Sequence, residues 1–111
     1  MKIVEVETFV VANPPPRHGG RYFIFVKLTT DNAVSGIGEA YAASFNPHLI
    51  AKMIEDTADR FLIGENPFQI ETFWRRSYGV GYTLRPDPTL CGVISSLEMA
   101  CWDLIGKECN K

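Results

Sequence analysis

The 111 residues predict an α+β domain, a three-stranded antiparallel meander followed by a helical bundle. Three observations predict it. Residues 3–11 alternate apolar and polar and 22–30 crowd β-branched and aromatic residues, the spacing turns helical after Asn46, and three Asx-Pro pairs stand where helices should begin.

The first strand is IVEVETFVV, residues 3–11. Val4, Val6 and Val10 share one face, and the other carries Glu5 and Glu7 before turning apolar at Phe9. ANPPPRHGGR, Ala12 to Arg21, follows as a loop with a stiff proline arm and a glycine hinge. So long a loop in so small a domain points to function. YFIFVKLTT, residues 22–30, is the strongest strand signal, apolar on both faces as far as Val26. Asp31 and Asn32 turn the chain, and AVSGIGEA returns as the third strand.

Asn46-Pro47 starts the first helix, with asparagine as N-cap and proline in the first turn. Its stripe runs through Leu49, Ile50, Met53, Ile54, Ala58, Phe61 and Leu62, and Gly64 ends it. Asn66-Pro67 starts the second, with Gln69 placed to close a capping box, and that helix dissolves near Gly79. YGVGYTLRPDP, Tyr78 to Pro88, is irregular, and Asp87-Pro88 launches the last helix. From Leu90 to Ile105 that helix is charged only at Glu98 and Asp103, which lie about 140° apart around its axis. No wide polar face remains, so it should be covered on more than one side. A three-stranded sheet covers one of them.

Composition narrows the function classes. The net charge of −2 leaves no basic footprint for nucleic acid. No unbroken apolar run approaches the roughly 20 residues of a membrane span, and Glu5 and Glu7 interrupt the first apolar stretch where a signal peptide would need continuity. The expected compartment is the cytoplasm. Cys91, Cys101 and Cys109 have no metal-ligand spacing and read as small buried side chains. GIGE, Gly36 to Glu39, falls short of a dinucleotide fingerprint, because Tyr41 stands where its third glycine belongs. The glycines read instead as points where another backbone or a ligand comes close.

Candidate binding residues gather in the loops. Arg17 and His18 in the first loop suit an anion or a sugar hydroxyl, and Tyr78, Tyr82 and Arg85 in the last suit a polyhydroxylated acid. His48 reads as a surface residue, Glu98 as a buried acid held by a backbone group, and Asp103 as an ion-pair partner of Lys107. No nucleophile–base set, phosphate loop or metal cluster is present in the pattern, so no catalytic residue is assigned.

Ser95-Ser96-Leu97-Glu98-x-Ala100-x-Trp102-Asp103-Leu104-x-Gly106-Lys107 closely resembles a signature of the mandelate racemase/muconate lactonizing enzyme group of the enolase superfamily. MKIVEVETFVV, the hairpin KLTTDNAVSGIGEA and the helix pair are similar to the same group's N-terminal capping domain. Val93 and Cys101 depart from the usual small or aliphatic residues, both as apolar packing changes. The resemblance implies a capping domain over residues 1–111, with the sheet and its capping loops in 1–45 and helices in 46–111. It implies a (β/α)₇β barrel beyond, which would hold Mg²⁺ and the acid–base residues. The implied chemistry is proton abstraction α to a carboxylate. The cap would close the barrel mouth through two loops, Ala12–Arg21 and about Tyr41–Asn46, which adds Tyr41 and Phe45 to the binding candidates. The PPPR loop and the WRR…Y…RPDP region look most like acid-sugar dehydratases of the galactonate or mannonate type. A racemase or cycloisomerase cap, and a free-standing α+β binding module, are the alternatives. The implied partners are a sugar acid, the chain's own barrel and further copies in a dimer to octamer.

Overall fold

β1 (Ile3–Ala12), β2 (Tyr22–Thr30) and β3 (Ser35–Ala40) form one antiparallel sheet in the order β1-β2-β3. The computed structural model describes residues 1–12, 14–16, 22–40, 46–79 and 88–110. The predicted meander is present, with one change of register. Ile3 pairs with Thr30 and Glu5 with Thr29, so Val4 is an extra residue on β1. Such a bulge flips the alternation. Ile3 therefore turns inward and is fully buried, while Val4, expected on the core face, is 53% exposed.

Past the bulge, Val6, Thr8 and Val10 align with Leu28, Val26 and Ile24 on the inner face. The helices cover that face. α1 (Pro47–Phe61), α2 (Ile70–Gly79) and α3 (Pro88–Glu108) supply Ile50, Ile54, Phe73, Leu97 and Leu104 to a single core with Ile24, Val26 and Leu28. The shortest dimension of the molecule is 20 Å, the depth of one sheet and one helical layer.

Local chemistry sets the helix ends. The Asn46 side chain accepts a hydrogen bond from the His48 N–H at 2.9 Å, and His48 itself is exposed, as expected. Gly64, just past α1, has φ +88°, a conformation costly for any residue with a Cβ. Asn66 accepts from the Phe68 N–H, but residues 67–68 form a turn and α2 begins at Ile70, three residues later than a capping box on Asn66 would start it. Leu49, expected in the α1 stripe, is 60% exposed.

α3 lies along β3 with nothing between the two backbones. A Cβ added at Gly38 would stand 1.9 Å from the Ser96 carbonyl oxygen, and one at Gly36 would stand 2.2 Å from that of Ala100. This is the reason for glycine in GIGE. The strand is a packing surface for a helix, as the glycines' close-approach reading anticipated. Asp103 accepts from the Ile37 N–H at 3.0 Å, and Lys107 donates to the Ser35 carbonyl at 2.7 Å, so the free edge of β3 is tied to the helix.

One arc of α3 is buried at Val93, Ile94, Ser96, Leu97, Ala100, Cys101 and Leu104. The opposite arc bears Met99, 47% exposed, and Trp102, 59% exposed. The sheet and the other helices therefore cover one side only, as the charge pattern predicts. By length and composition α3 is apolar enough to cross a membrane, but its buried arc is spent on the core of this domain. Of the three cysteines only Cys101 is buried, and Cys109 is exposed. Glu98 is half-buried rather than buried.

Candidate functional site

Antiparallel pairing brings the chain's loop flanks to one end of the sheet. Ala12 pairs with Tyr22, so the segment between them leaves and returns at that end. Ile24 pairs with Ala40, so the segment after β3 departs two residues further along the same end. α3 runs antiparallel to β3, since Gly36 meets Ala100 and Leu104 while Gly38 meets Ser96. Two strand residues advance about 6.6 Å and four helical residues about 6 Å, so Ala40 lies level with the first turns of α3. Pro88, where the third segment enters α3, therefore belongs to this end too. The flanks of residues 13–21, 41–45 and 80–87 converge there.

Six of the candidate binding residues, Arg17, His18, Tyr41, Phe45, Tyr82 and Arg85, lie outside the described residues, as do Ala12–Arg21 beyond its first residues and most of Tyr41–Asn46. What the structure supplies is the frame from which they spring. Two aromatic groups stand on that frame, of which Tyr22 escaped the sequence reading and Tyr78 was among its candidates. Tyr22 opens β2 at the loop end and is 50% exposed, although its parity places it on the core face with Ile24. It overruns the helical layer. Tyr78 stacks on Trp74 at 5.4 Å with 4° between the rings, next to the end of α2.

Electrostatics argues against other places on the surface. An open groove of about 400 Å³ between β1 and α1 is lined by Val6, Lys52, Glu55, Asp56 and Asp59. Three carboxylates against one ammonium repel an anionic ligand. Within the groove wall, the Thr8 hydroxyl donates to Glu55. Cys101 is no nucleophile, because burial, followed by the nearby Glu98 charge, pushes its thiol up to about 12. At Asp103 burial pushes the carboxyl up, but the Ile37 N–H and Lys107 outweigh it and hold the group below its ordinary value. Among the described residues no three His, Cys, Asp or Glu side chains gather as a metal site.

A sheet with one helical face and three segment flanks gathered at one end suits a cap. Residues 5–111 match the family described as mandelate racemase/muconate lactonizing enzyme, N-terminal domain. The chain belongs to that family and is an enolase-superfamily N-terminal capping domain. A D-galactonate dehydratase family member from Pseudarthrobacter chlorophenolicus is 32% identical over 96% of this chain and 24% of its own length. A solved structure of the mandelate racemase/muconate lactonizing enzyme type from Labrenzia alexandrii DFL-11 is 60% identical, with a TM-score of 0.94 over 98% of this chain and 28% of that one. A racemase from Streptomyces coelicolor with bound magnesium shares the fold, at 22% identity, a TM-score of 0.81 and coverage of 96% and 31%. The chain thus spans about a quarter to a third of the length of these relatives.

Proposed function

We propose that this domain is the substrate-closing cap of a sugar-acid dehydratase. The observation that carries the reading is the convergence of three loop flanks at one end of a rigid β3–α3 frame, in a family of small-molecule enzymes. A lid needs a fixed base and mobile contacts, and backbone-on-backbone packing supplies the base. The galactonate dehydratase relative supports a polyhydroxylated acid as substrate. Arg17, His18 and Arg85 give the loops the cationic and hydrogen-bonding groups such an acid requires, with Tyr41, Phe45, Tyr82 and Tyr22 as its walls.

In this reading a (β/α)₇β barrel follows residue 111 and holds the catalytic groups. In the same reading the barrel also holds the Mg²⁺ that the family resemblance implies. The overall reaction removes the proton α to the carboxylate and expels the 3-hydroxyl as water, leaving a 2-keto-3-deoxy acid. The cap's part is to exclude water and to bind the distal hydroxyls and charge. The exposed Met99 and Trp102 arc of α3 is the surface that meets the barrel. The enzyme works as a soluble cytoplasmic protein.

The test is a screen of aldonic and aldaric acids with the complete polypeptide and Mg²⁺, reading 2-keto-3-deoxy acid formation. Dehydration of one acid, with KM raised about tenfold or more by Arg17→Ala or Arg85→Ala, is the expected result. Racemisation or cycloisomerisation without loss of water would sink the dehydratase assignment and keep the cap.

A further inference from the structure

Two kinds of contact close the α3–β3 seam, and they act on different parts of the helix. Gly36 and Gly38 stop the strand backbone against Ala100 and Ser96. Those two helix residues are about one turn apart, a span of about 6 Å. Such contact limits approach but does not stop the helix from tilting away. Val93 and Ile94 hold the loop-end half of α3 to the core. Apolar burial is not directional, however, and does not fix an angle.

Direction comes from the other end of the helix. The Asp103 carboxylate accepts from the Ile37 N–H at 3.0 Å and meets the Lys107 ammonium at 3.0 Å, and that ammonium donates onward to the Ser35 carbonyl at 2.7 Å. A longer contact of 3.4 Å runs from the Asn32 amide to Glu108. The strand end that receives this clasp is itself anchored. In the β2–β3 turn the Asp31 N–H donates to the Lys2 carbonyl at 2.9 Å, and the Lys2 N–H donates to the Asp31 carboxylate at 3.0 Å. By contrast, the pairs Arg60–Asp56 and Arg75–Glu71 each join residues of a single helix. Half-exposed ion pairs contribute little to stability, so a clasp that crosses between elements points to geometry rather than energy.

The lengths involved show what the clasp does. Lys107 lies about 16 Å along α3 from Ser96, so the clasp lengthens the seam's span nearly threefold. On the other side, Pro88 lies about 12 Å beyond Ser96, where the flanks of 41–45 and 80–87 come together. A half-ångström lift at Ala100 would carry Pro88 through roughly 1 Å, whereas the same lift at Lys107 would carry it through about 0.4 Å. Misplacement by about 1 Å around a bound substrate can cost about a hundredfold in rate.

We propose that Asp103 and Lys107 are positioning residues, which set the angle between α3 and β3 and through it the separation of Ala40 and Pro88 at the substrate end. The link to substrate rests on the lid reading; the angle is tested without it. In the complete polypeptide, Lys107→Met keeps the aliphatic stem and removes the ammonium. Hydrogen exchange should then quicken about threefold or more at amides 35–40 and also at amides 92–95, with α1 and β1 unchanged. Lys107→Arg should restore the wild-type rates, and Arg60→Met, which breaks a pair within α1, should leave both segments alone. For the acid that the complete enzyme dehydrates, Lys107→Met should raise KM about fivefold with kcat within about twofold, again restored by arginine. Quickening confined to 35–40 would make the clasp a local fastening and overturn the proposal. So would a uniform rise across every element, the mark of lost global stability. An unchanged KM alongside loosened 92–95 overturns the link to the site. Failure of the dehydratase reading shows instead in the acid screen, and the exchange result still decides the seam.

Discussion

Two helix–strand seams hold this domain together, and they are built in opposite ways. Along α3–β3 the contact is made by missing side chains. Gly36 and Gly38 bring strand backbone against the carbonyls of Ala100 and Ser96, and Asp103 and Lys107 fasten the strand's edge. Along α1–β1 the contact is made by side chains that are present. Thr8 reaches Glu55, and Val6, Lys52 and Asp59 line a groove that stays open to solvent. The first seam has no slack and cannot absorb a methyl group; the second opens onto a groove with room to rearrange. Two of the three segments proposed to meet substrate, 41–45 and 80–87, leave from one end of the first seam. Rigidity is therefore placed where a lid needs its base.

The largest effect should come from Gly38→Ala. The new Cβ meets backbone rather than a flexible side-chain tip, so α3 has to move as a body. A loss of about 3 kcal/mol or more is expected, read as a lower urea midpoint with an unchanged m-value. Gly36→Ala comes next, at about 2 kcal/mol, since its contact is 0.3 Å longer (2.2 against 1.9 Å). If both variants unfold at the wild-type midpoint, the seam is soft and the contrast with α1–β1 disappears.

How much of this was legible in the sequence depended on whether the signal was local. The alternation of residues 22–30 gave β2 with the bounds the structure has, and Asn46-Pro47 gave the start of α1. Gly36 and Gly38 were legible as close-approach positions, but their partner was not, because Ser96 and Ala100 lie some sixty residues away. The bulge at Val4 was not legible either. It depends on where β2 ends, and the valines alternate as cleanly without it. Leu49 was assigned to the core because spacing alone cannot tell the first turn of a helix from its covered middle. The frame of the candidate site follows from strand order, which three strong strand signals determine. Its chemistry rested on loop residue types and on a resemblance centred on α3, since loop conformation has no periodicity to read.

On the permissive seam, Thr8→Val should cost about 1 kcal/mol. The variant removes a hydrogen bond to a charged group, but the Glu55 side chain is 41% exposed and recovers water in exchange. A thermal melt distinguishes this from the glycine variants. A loss as large as that of Gly38→Ala would mean that the α1–β1 contact is as exacting as α3–β3.

Asp103→Asn gives the smallest effect and the sharpest diagnosis of the edge fastening. Asparagine keeps an oxygen to accept the Ile37 N–H but gives up the ion pair with Lys107, 3.0 Å away. Because the Asp103 side chain is 38% exposed, the expected loss at pH 7 is about 0.5 kcal/mol. Its sign with pH is fixed. The folded state holds the carboxyl below the ordinary 3.8, so the unfolded chain takes up the proton first as pH falls. The stabilisation is present in full above that value and drains away as pH drops through the lower, folded value. The difference between wild type and Asp103→Asn should therefore be flat from pH 7 to about pH 5 and shrink below pH 4. Urea midpoints of both proteins at matched ionic strength would check it. A gap that stays constant into acid would mean that lost packing, not charge, is what the substitution removes, and that β3 is held to α3 by its glycines alone.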